Sequence, residues 1–191
     1  METYRTFIAI DLPLEIRQNL AKVISSCRTL APTGIKWVQA SQVHITLIFL
    51  GDTNPKDIPA LREILNRLIV KHPPFPLLLA GMGAFPSPAR PRVLWVGLKA
   101  PETLRQLQHD LDEEIRTLGY ALEDRPFSPH LTLGRVSPHA GPAELKQIQS
   151  IFANHPAVSI GDMMVGSISL IRSQLQSTGP IYSTLHKIEL K

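Results

Sequence analysis

The sequence predicts an α+β fold: a bilobal, pseudo-twofold tandem repeat of strand-helix-strand-helix-strand units, with mainly antiparallel sheets lining a central cleft. Three observations predict it. Segments rich in β-branched and aromatic residues alternate with amphipathic stretches at helical spacing. The same order of elements occurs twice, in about residues 1–86 and 92–191. A pattern of His, aliphatic, Thr, Leu falls in the corresponding strand of each copy.

In the first copy, Arg5-Thr-Phe-Ile-Ala-Ile has strand composition, and Asp11 with Pro13 opens a helix carrying Leu12, Ile16, Leu20, Val23, Ile24 and Cys27 on one face. A strand over 42–51, Gln-Val-His-Ile-Thr-Leu-Ile-Phe-Leu-Gly, stops at Gly51-Asp52. A helix with Ile58, Leu61, Leu65 and Leu68 follows, then a strand from Phe75 to Phe85. The second copy offers a strand from Val93 to Leu98 and a helix with Leu104, Leu107, Leu111, Ile115 and Leu118 at steps of three and four. After Gly119 a connection ending in Ser128-Pro129 leads to the strand His-Leu-Thr-Leu-Gly-Arg-Val, 130–136. A helix with Leu145, Ile148, Ile151 and Phe152 and a strand from Met163 to Ser173 complete it. Gln174 to Pro180 then turns into a last strand, Ile181 to Leu190, as a closing hairpin. The proline-rich stretch Phe85 to Arg92 is expected to be the linker between halves, short enough to keep residues 1–191 one bilobal domain.

Composition narrows the function classes. The 191 residues suffice for a sizeable core, with 43% hydrophobic and 19% charged residues, which excludes wholesale disorder. The longest apolar stretch, Phe75 to Phe85, is interrupted by Pro76, Gly81 and Gly83, so no membrane span is expected; with no signal-peptide pattern near Met1, the cytoplasm is the expected compartment. A single cysteine, Cys27, excludes an intramolecular disulfide and multi-cysteine zinc sites, and its place on a helical apolar stripe points to packing. The formal charge of +4 is compatible with an anionic partner such as RNA.

The chemistry lies in His44-Ile45-Thr46-Leu47 and His130-Leu131-Thr132-Leu133. Side chains alternate across a strand, so His and Thr share one face while the aliphatic pair faces the core. Two imidazoles across a cleft, each with a hydroxyl two residues on, suit phosphodiester chemistry without metal. One neutral His takes a proton from an attacking water or hydroxyl, and the other, protonated, gives one to the leaving oxygen; a pKa near 6.5 lets both states coexist. Each Thr hydroxyl can donate to a non-bridging oxygen. No cluster at metal-ligand spacing accompanies the motifs, and neither metal nor cofactor is expected. His72, His109, His139, His155 and His186 have no repeated partner and receive no role.

These residues make the chain resemble the two-histidine (2H) phosphoesterase superfamily, and within it the bacterial and archaeal RNA 2′,3′-cyclic phosphodiesterases, also termed 2′-5′ RNA ligase or LigT-like proteins. The resemblance extends over nearly the whole length: Arg5-Thr-Phe-Ile-Ala-Ile-Asp-Leu-Pro, Lys36-Trp-Val with the first motif, Gly83-Ala-Phe-Pro with Arg92-Val-Leu-Trp-Val-Gly, Arg125-Pro-Phe-Ser-Pro with the second motif, and Arg172-Ser-Gln-Leu with Gly179-Pro-Ile-Tyr. It implies hydrolysis of an RNA 2′,3′-cyclic phosphate end to a 2′-phosphomonoester. His44 would be the proton donor to the leaving 3′-oxygen, His130 the proton acceptor from water, and Thr46, Thr132 and Arg135 the phosphate ligands. Ligation of RNA ends to a 2′-5′ linkage and non-catalytic RNA binding are the alternatives. The implied partner is RNA with a cyclic phosphate end, single-stranded or a tRNA fragment, with no obligate protein partner.

Strand alternation sets Arg135 on the face opposite His130, so it reaches the phosphate only if the strand twists or bulges, for which Gly134 is a suitable place. Phe49 shares the parity of Ile45 and Leu47 and is expected in the core, whereas Trp37 is a candidate platform for a base. Lys36, Arg90 and Arg92 are candidate contacts to backbone phosphates or solvated charges.

Overall fold

The computed structural model describes residues 2–123, 126–155, 158–176 and 179–191. The chain runs β1 (Tyr4–Asp11), α1 (Leu14–Leu30), β2 (Ile35–Trp37), β3 (His44–Thr53), α2 (Ile58–Ile69), β4 (Phe75–Ser87), β5 (Arg90–Lys99), α3 (Glu102–Arg116), β6 (His130–Val136), α4 (Pro142–Asn154), β7 (Ser159–Val165), β8 (Ser167–Gln176) and β9 (Gly179–Glu189). Four strands form one sheet in the order β3-β1-β8-β9, and five form the other in the order β2-β6-β5-β4-β7. All the strand pairs are antiparallel.

The duplication is visible in the pairing. In the first sheet Thr46 lies opposite Ala9 and His44 opposite Asp11; in the second Thr132 lies opposite Trp95 and His130 opposite Gly97. The third strand of each unit crosses over: β4, from the first half, pairs with β5, while β8, from the second, pairs with β1. Neither sheet is therefore built from one half of the chain.

Helices α1 and α4 pack together against the five-stranded sheet, α2 and α3 against the four-stranded one. The stripes read from the sequence supply their contacts, with Ile16, Leu20, Ile24 and Cys27 of α1 and Leu104, Leu107, Leu111 and Ile115 of α3 all buried. One principal core cluster spans both halves, joined from the repeat strands by Ile45, Leu47, Leu131 and Leu133. A smaller cluster of Phe7, Ala9 and Ile171, with Tyr182 packed on it, occupies the other face of the four-stranded sheet. Among the described residues no helix is long and apolar enough to cross a membrane.

Several sequence expectations are corrected. The proline-rich stretch is not a free linker but the tip of the β4-β5 hairpin, with Pro86 opposite Pro91. Proline is tolerated where a strand ends and a ladder N–H is not needed. The segment Met163–Ser173 is two strands that part at Gly166, and α3 ends at Arg116, leaving Leu118 40% exposed beyond it. The three-residue β2 was too short to show periodicity. Arg125 of the quoted motif segment, and Ser177 and Thr178 of the last turn, lie outside the described residues.

Candidate active site

The two histidine motifs meet in a cleft of about 750 Å³, whose lining includes His44, Thr46, His130, Thr132, Arg135 and Trp37. His44 and His130 each stand at the first residue of a strand, and each ring engages the backbone two residues upstream. Nδ1 of His44 lies 3.1 Å from the carbonyl oxygen of Gln42, and Nδ1 of His130 lies 2.7 Å from that of Ser128. A carbonyl only accepts, so both Nδ1 atoms carry the proton, leaving each Nε2 for chemistry in the cleft. This matched pair of carbonyl bonds was not foreseen, because a backbone acceptor puts no demand on residue type at 42 or 128.

The strand parity changes just after each Thr. Along β3, Ala9 faces Thr46 and Ile8 faces Ile48, so Leu47 is an extra residue. Along β6, Trp95 faces Thr132 and Leu94 faces Gly134, so Leu133 is extra. Leu47 and Ile48 are consecutively buried, as are Leu133 and Gly134, and the next residue in each strand returns to the cleft. That residue is Phe49 in one strand and Arg135 in the other. Phe49 is 53% exposed and lines the cleft, which corrects its expected place in the core. Arg135 reaches the cleft as the bulge condition required, with the extra residue at Leu133 rather than Gly134. Gly134 serves a different purpose: a Cβ there would lie 2.6 Å from Cγ2 of Ile35 and 3.2 Å from the Trp37 ring, so its bare backbone lets β2 close against β6.

Aromatic packing differs around the two imidazoles. His44 stacks on Phe7 with centroids 4.5 Å apart and an interplanar angle of 24°, and the Tyr182 ring meets it edge-on at 5.2 Å. His130 meets Phe85 edge-on at 4.9 Å, and Phe85 packs on Trp95 at 5.3 Å. Burial lowers the His44 pKa below its ordinary value; the Gln42 carbonyl and Asp11 oppose this, and Arg17 adds to it. Burial likewise raises the Tyr182 phenol, against a downward pull from Arg135 and Arg5.

Behind His44 lies a polar group with no counterpart among the described residues of the second repeat. Asp11 accepts a hydrogen bond from the Ser169 hydroxyl at 2.8 Å and lies 4.0 Å from Arg17, which donates to the Ser41 carbonyl at 3.1 Å. The side-chain amide of Gln42 donates to the Pro180 carbonyl at 2.9 Å, tying the turn before His44 to the start of β9. Sequence reading missed Phe7, Phe85 and Tyr182 as ring neighbours of the histidines; alternation from Arg5 places Phe7 on the cleft face, but Tyr182 comes from a strand outside the repeat. Trp37 is half-buried in the cleft wall and its indole N–H finds no hydrogen bond among the described residues. Arg90 and Arg92 are exposed on β5, near the hairpin tip and outside the cleft lining.

A duplicated fold with two imidazoles turned into one cleft defines a phosphoesterase of the two-histidine kind. The model of the LigT-like phosphoesterases matches residues 10–95 and again 96–182, and the chain belongs to that family. A protein of Methanothermobacter thermautotrophicus named RNA 2′,3′-cyclic phosphodiesterase is 32% identical over 186 residues, covering 97% of this chain and 98% of its own length. A Thermotoga maritima protein of the same name is 32% identical, with coverages of 98% and 96%. Among solved structures, TT0787 of Thermus thermophilus superposes with a TM-score of 0.80 at 31% identity and 97% coverage of both chains. E. coli LigT complexed with 3′-AMP gives 0.78 at 29% identity and 99% coverage of both.

Proposed function

We propose that the protein hydrolyses RNA 2′,3′-cyclic phosphate ends to 2′-phosphomonoesters, without metal, by acid-base catalysis from His44 and His130. The observation that carries this reading is the pair of cleft-lining imidazoles with both Nδ1 atoms committed to backbone carbonyls. The names of the relatives support the substrate class.

In the proposed reaction Nε2 of His130 takes a proton from water as its oxygen attacks phosphorus, and the bond from phosphorus to O3′ breaks on the opposite side. His44 delivers the proton from its Nε2 to O3′. The products are a free 3′-hydroxyl and a 2′-phosphomonoester, and the two imidazoles exchange protonation states, to be reset through solvent. Thr46, Thr132 and Arg135 hold the non-bridging oxygens, where charge grows in the transition state. Burial disfavours the protonated form of His44, and the negative charge of a bound phosphodiester would favour it, as the donor role requires. Phe49, exposed five residues beyond His44, offers a ring face for the terminal base.

The test is incubation with an oligoribonucleotide ending in a 2′,3′-cyclic phosphate in the presence of chelator. The expected product is the 2′-phosphate, lost in His44→Gln and in His130→Gln. A 3′-phosphate product, or full activity in both variants, overturns the proposal.

A further inference from the structure

The pseudo-twofold axis relates positions that carry the same chemistry in the motifs and different chemistry at the mouth of the cleft. Pairing of Ala9 with Thr46 and Trp95 with Thr132 makes Arg5 of β1 equivalent to Pro91 of β5. Counting back from the histidines makes Lys36 equivalent to Leu122 and Trp37 to Glu123, and counting forward makes Arg135 equivalent to Phe49. In each of these pairs of Lys36 with Leu122, Arg135 with Phe49 and Arg5 with Pro91, one member is a cation and its mate is apolar, with Lys36 and Arg135 on the five-stranded sheet and Arg5 across the cleft on the four-stranded one. The cations thus break the duplication at three positions around the cleft, which packing of the repeat does not require.

The three cations are also neighbours in use. Lys36 lies directly opposite Arg135 in the β2-β6 pairing, which sets their Cα atoms about 5 Å apart. Arg135 and Arg5, from different sheets, both act on the Tyr182 phenol. All three line the cleft, are exposed, and form no ion pair among the described residues. A terminal cyclic phosphate carries one negative charge, which Arg135 alone can match. Lys36 and Arg5 then face the same cleft without an ion-pair partner among the described residues, although Asp112 and Glu123 also line it, and a second phosphate on the ligand would supply that partner.

Resting on the proposed reaction, we propose that Lys36 and Arg5 flank Arg135 to hold the phosphodiester preceding the terminal nucleotide, so that the cleft takes an RNA chain in preference to a free cyclic mononucleotide. The chain leaves over the Lys36 lip, and the Leu122-Glu123 lip, which repels phosphate, is left to the uncharged base and ribose.

The experiment compares cytidine 2′,3′-cyclic monophosphate with a trinucleotide ending in a 2′,3′-cyclic phosphate, in wild type and in the Lys36→Gln/Arg5→Gln variant. The expected result is a rise of about tenfold in KM for the trinucleotide with kcat unchanged, and a change below about twofold on the mononucleotide. The salt slope of log KM for the trinucleotide should shrink by about 1.4, which is about 0.7 for each of the two cations neutralised. A trinucleotide whose last internucleotide linkage is a neutral methylphosphonate should suffer a similar loss in wild type and little further loss in the variant. Equal losses on both natural substrates, or no loss on either, overturn the proposal. If wild type turns over neither substrate, the reaction is wrong; the basic row is then judged by anisotropy of a labelled trinucleotide 2′-phosphate, where unchanged affinity in the variant refutes it.

Discussion

Replacing Gly83 by alanine tests how His130 is held. A Cβ at Gly83 would lie 2.3 Å from two atoms of the Trp95 indole. To regain an ordinary carbon-carbon separation the ring must retreat by more than about 1 Å. The indole already lies over the bare backbone of Gly97, where an added Cβ would come within 3.3 Å of it, and its other ring neighbour is Phe85, 5.3 Å away, so the displacement passes to Phe85 and from Phe85 to the edge of His130 at 4.9 Å. Overpacking of this kind costs about 1–3 kcal/mol. A shift near 1 Å in a reacting imidazole costs about 100-fold in rate. Urea unfolding of Gly83→Ala should show the stability loss, and single-turnover cleavage of the cyclic phosphate should show the rate loss. The double variant Gly83→Ala/Trp95→Phe, with its smaller ring, should recover most of both. Wild-type stability and rate in the single variant, or no recovery in the double variant, would refute the argument.

Three further outcomes are expected. His44 is held below its ordinary pKa by burial, so the unfolded chain takes up its proton first as pH falls; its stability contribution is complete above about pH 6.5 and is lost as pH drops through the folded value. Urea unfolding at about pH 7.5 and 5.5 should show wild type losing more stability than His44→Gln, and equal losses would exclude this origin. Thr6→Val removes the buried 2.6 Å bond between Thr6 and Thr53 hydroxyls and should cost about 0.5–1.5 kcal/mol with unchanged catalysis, checked by the urea midpoint and by kcat. Cys27 is fully buried, and burial raises its thiol to about 11, so iodoacetamide at about pH 8 should label it only in denaturant; rapid labelling of the native chain would contradict its packing role.

Much of this architecture is legible in the sequence, for identifiable reasons. The apolar stripes of α1 and α3 repeat at helical spacing because each presents one face to a sheet, and the two His-x-Thr strands announce themselves by duplication. The bulges could not be read. Leu47-Ile48 and Leu133-Gly134 look like ordinary continuations of alternating strands, and only the pairing partners reveal that one residue of each pair is extra. That single displacement decides whether Phe49 and Arg135 face the core or the cleft. The same limit hid the β4-β5 hairpin, since Pro86 and Pro91 look like breakers until they are seen opposite one another at its tip. The groups around His44 are legible only in three dimensions, because Asp11, Ser169 and Arg17 meet from β1, β8 and α1.

The exchange of third strands also sets the order in which the chain can fold. On the ribosome β1 is made first, yet the partner on one of its edges, β8, is among the last segments to emerge. Until then β1 has at most β3 beside it, and Phe7, Ala9 and Ile171 cannot form their cluster under His44. The five-stranded sheet, by contrast, can start from the local β4-β5 hairpin while the C-terminal segment is still being synthesised. The imidazole from the earlier half of the chain is thus the later to gain its complete surroundings, and a ribosome-stalled intermediate would present His130 on nearly finished walls while His44 still lacked Tyr182.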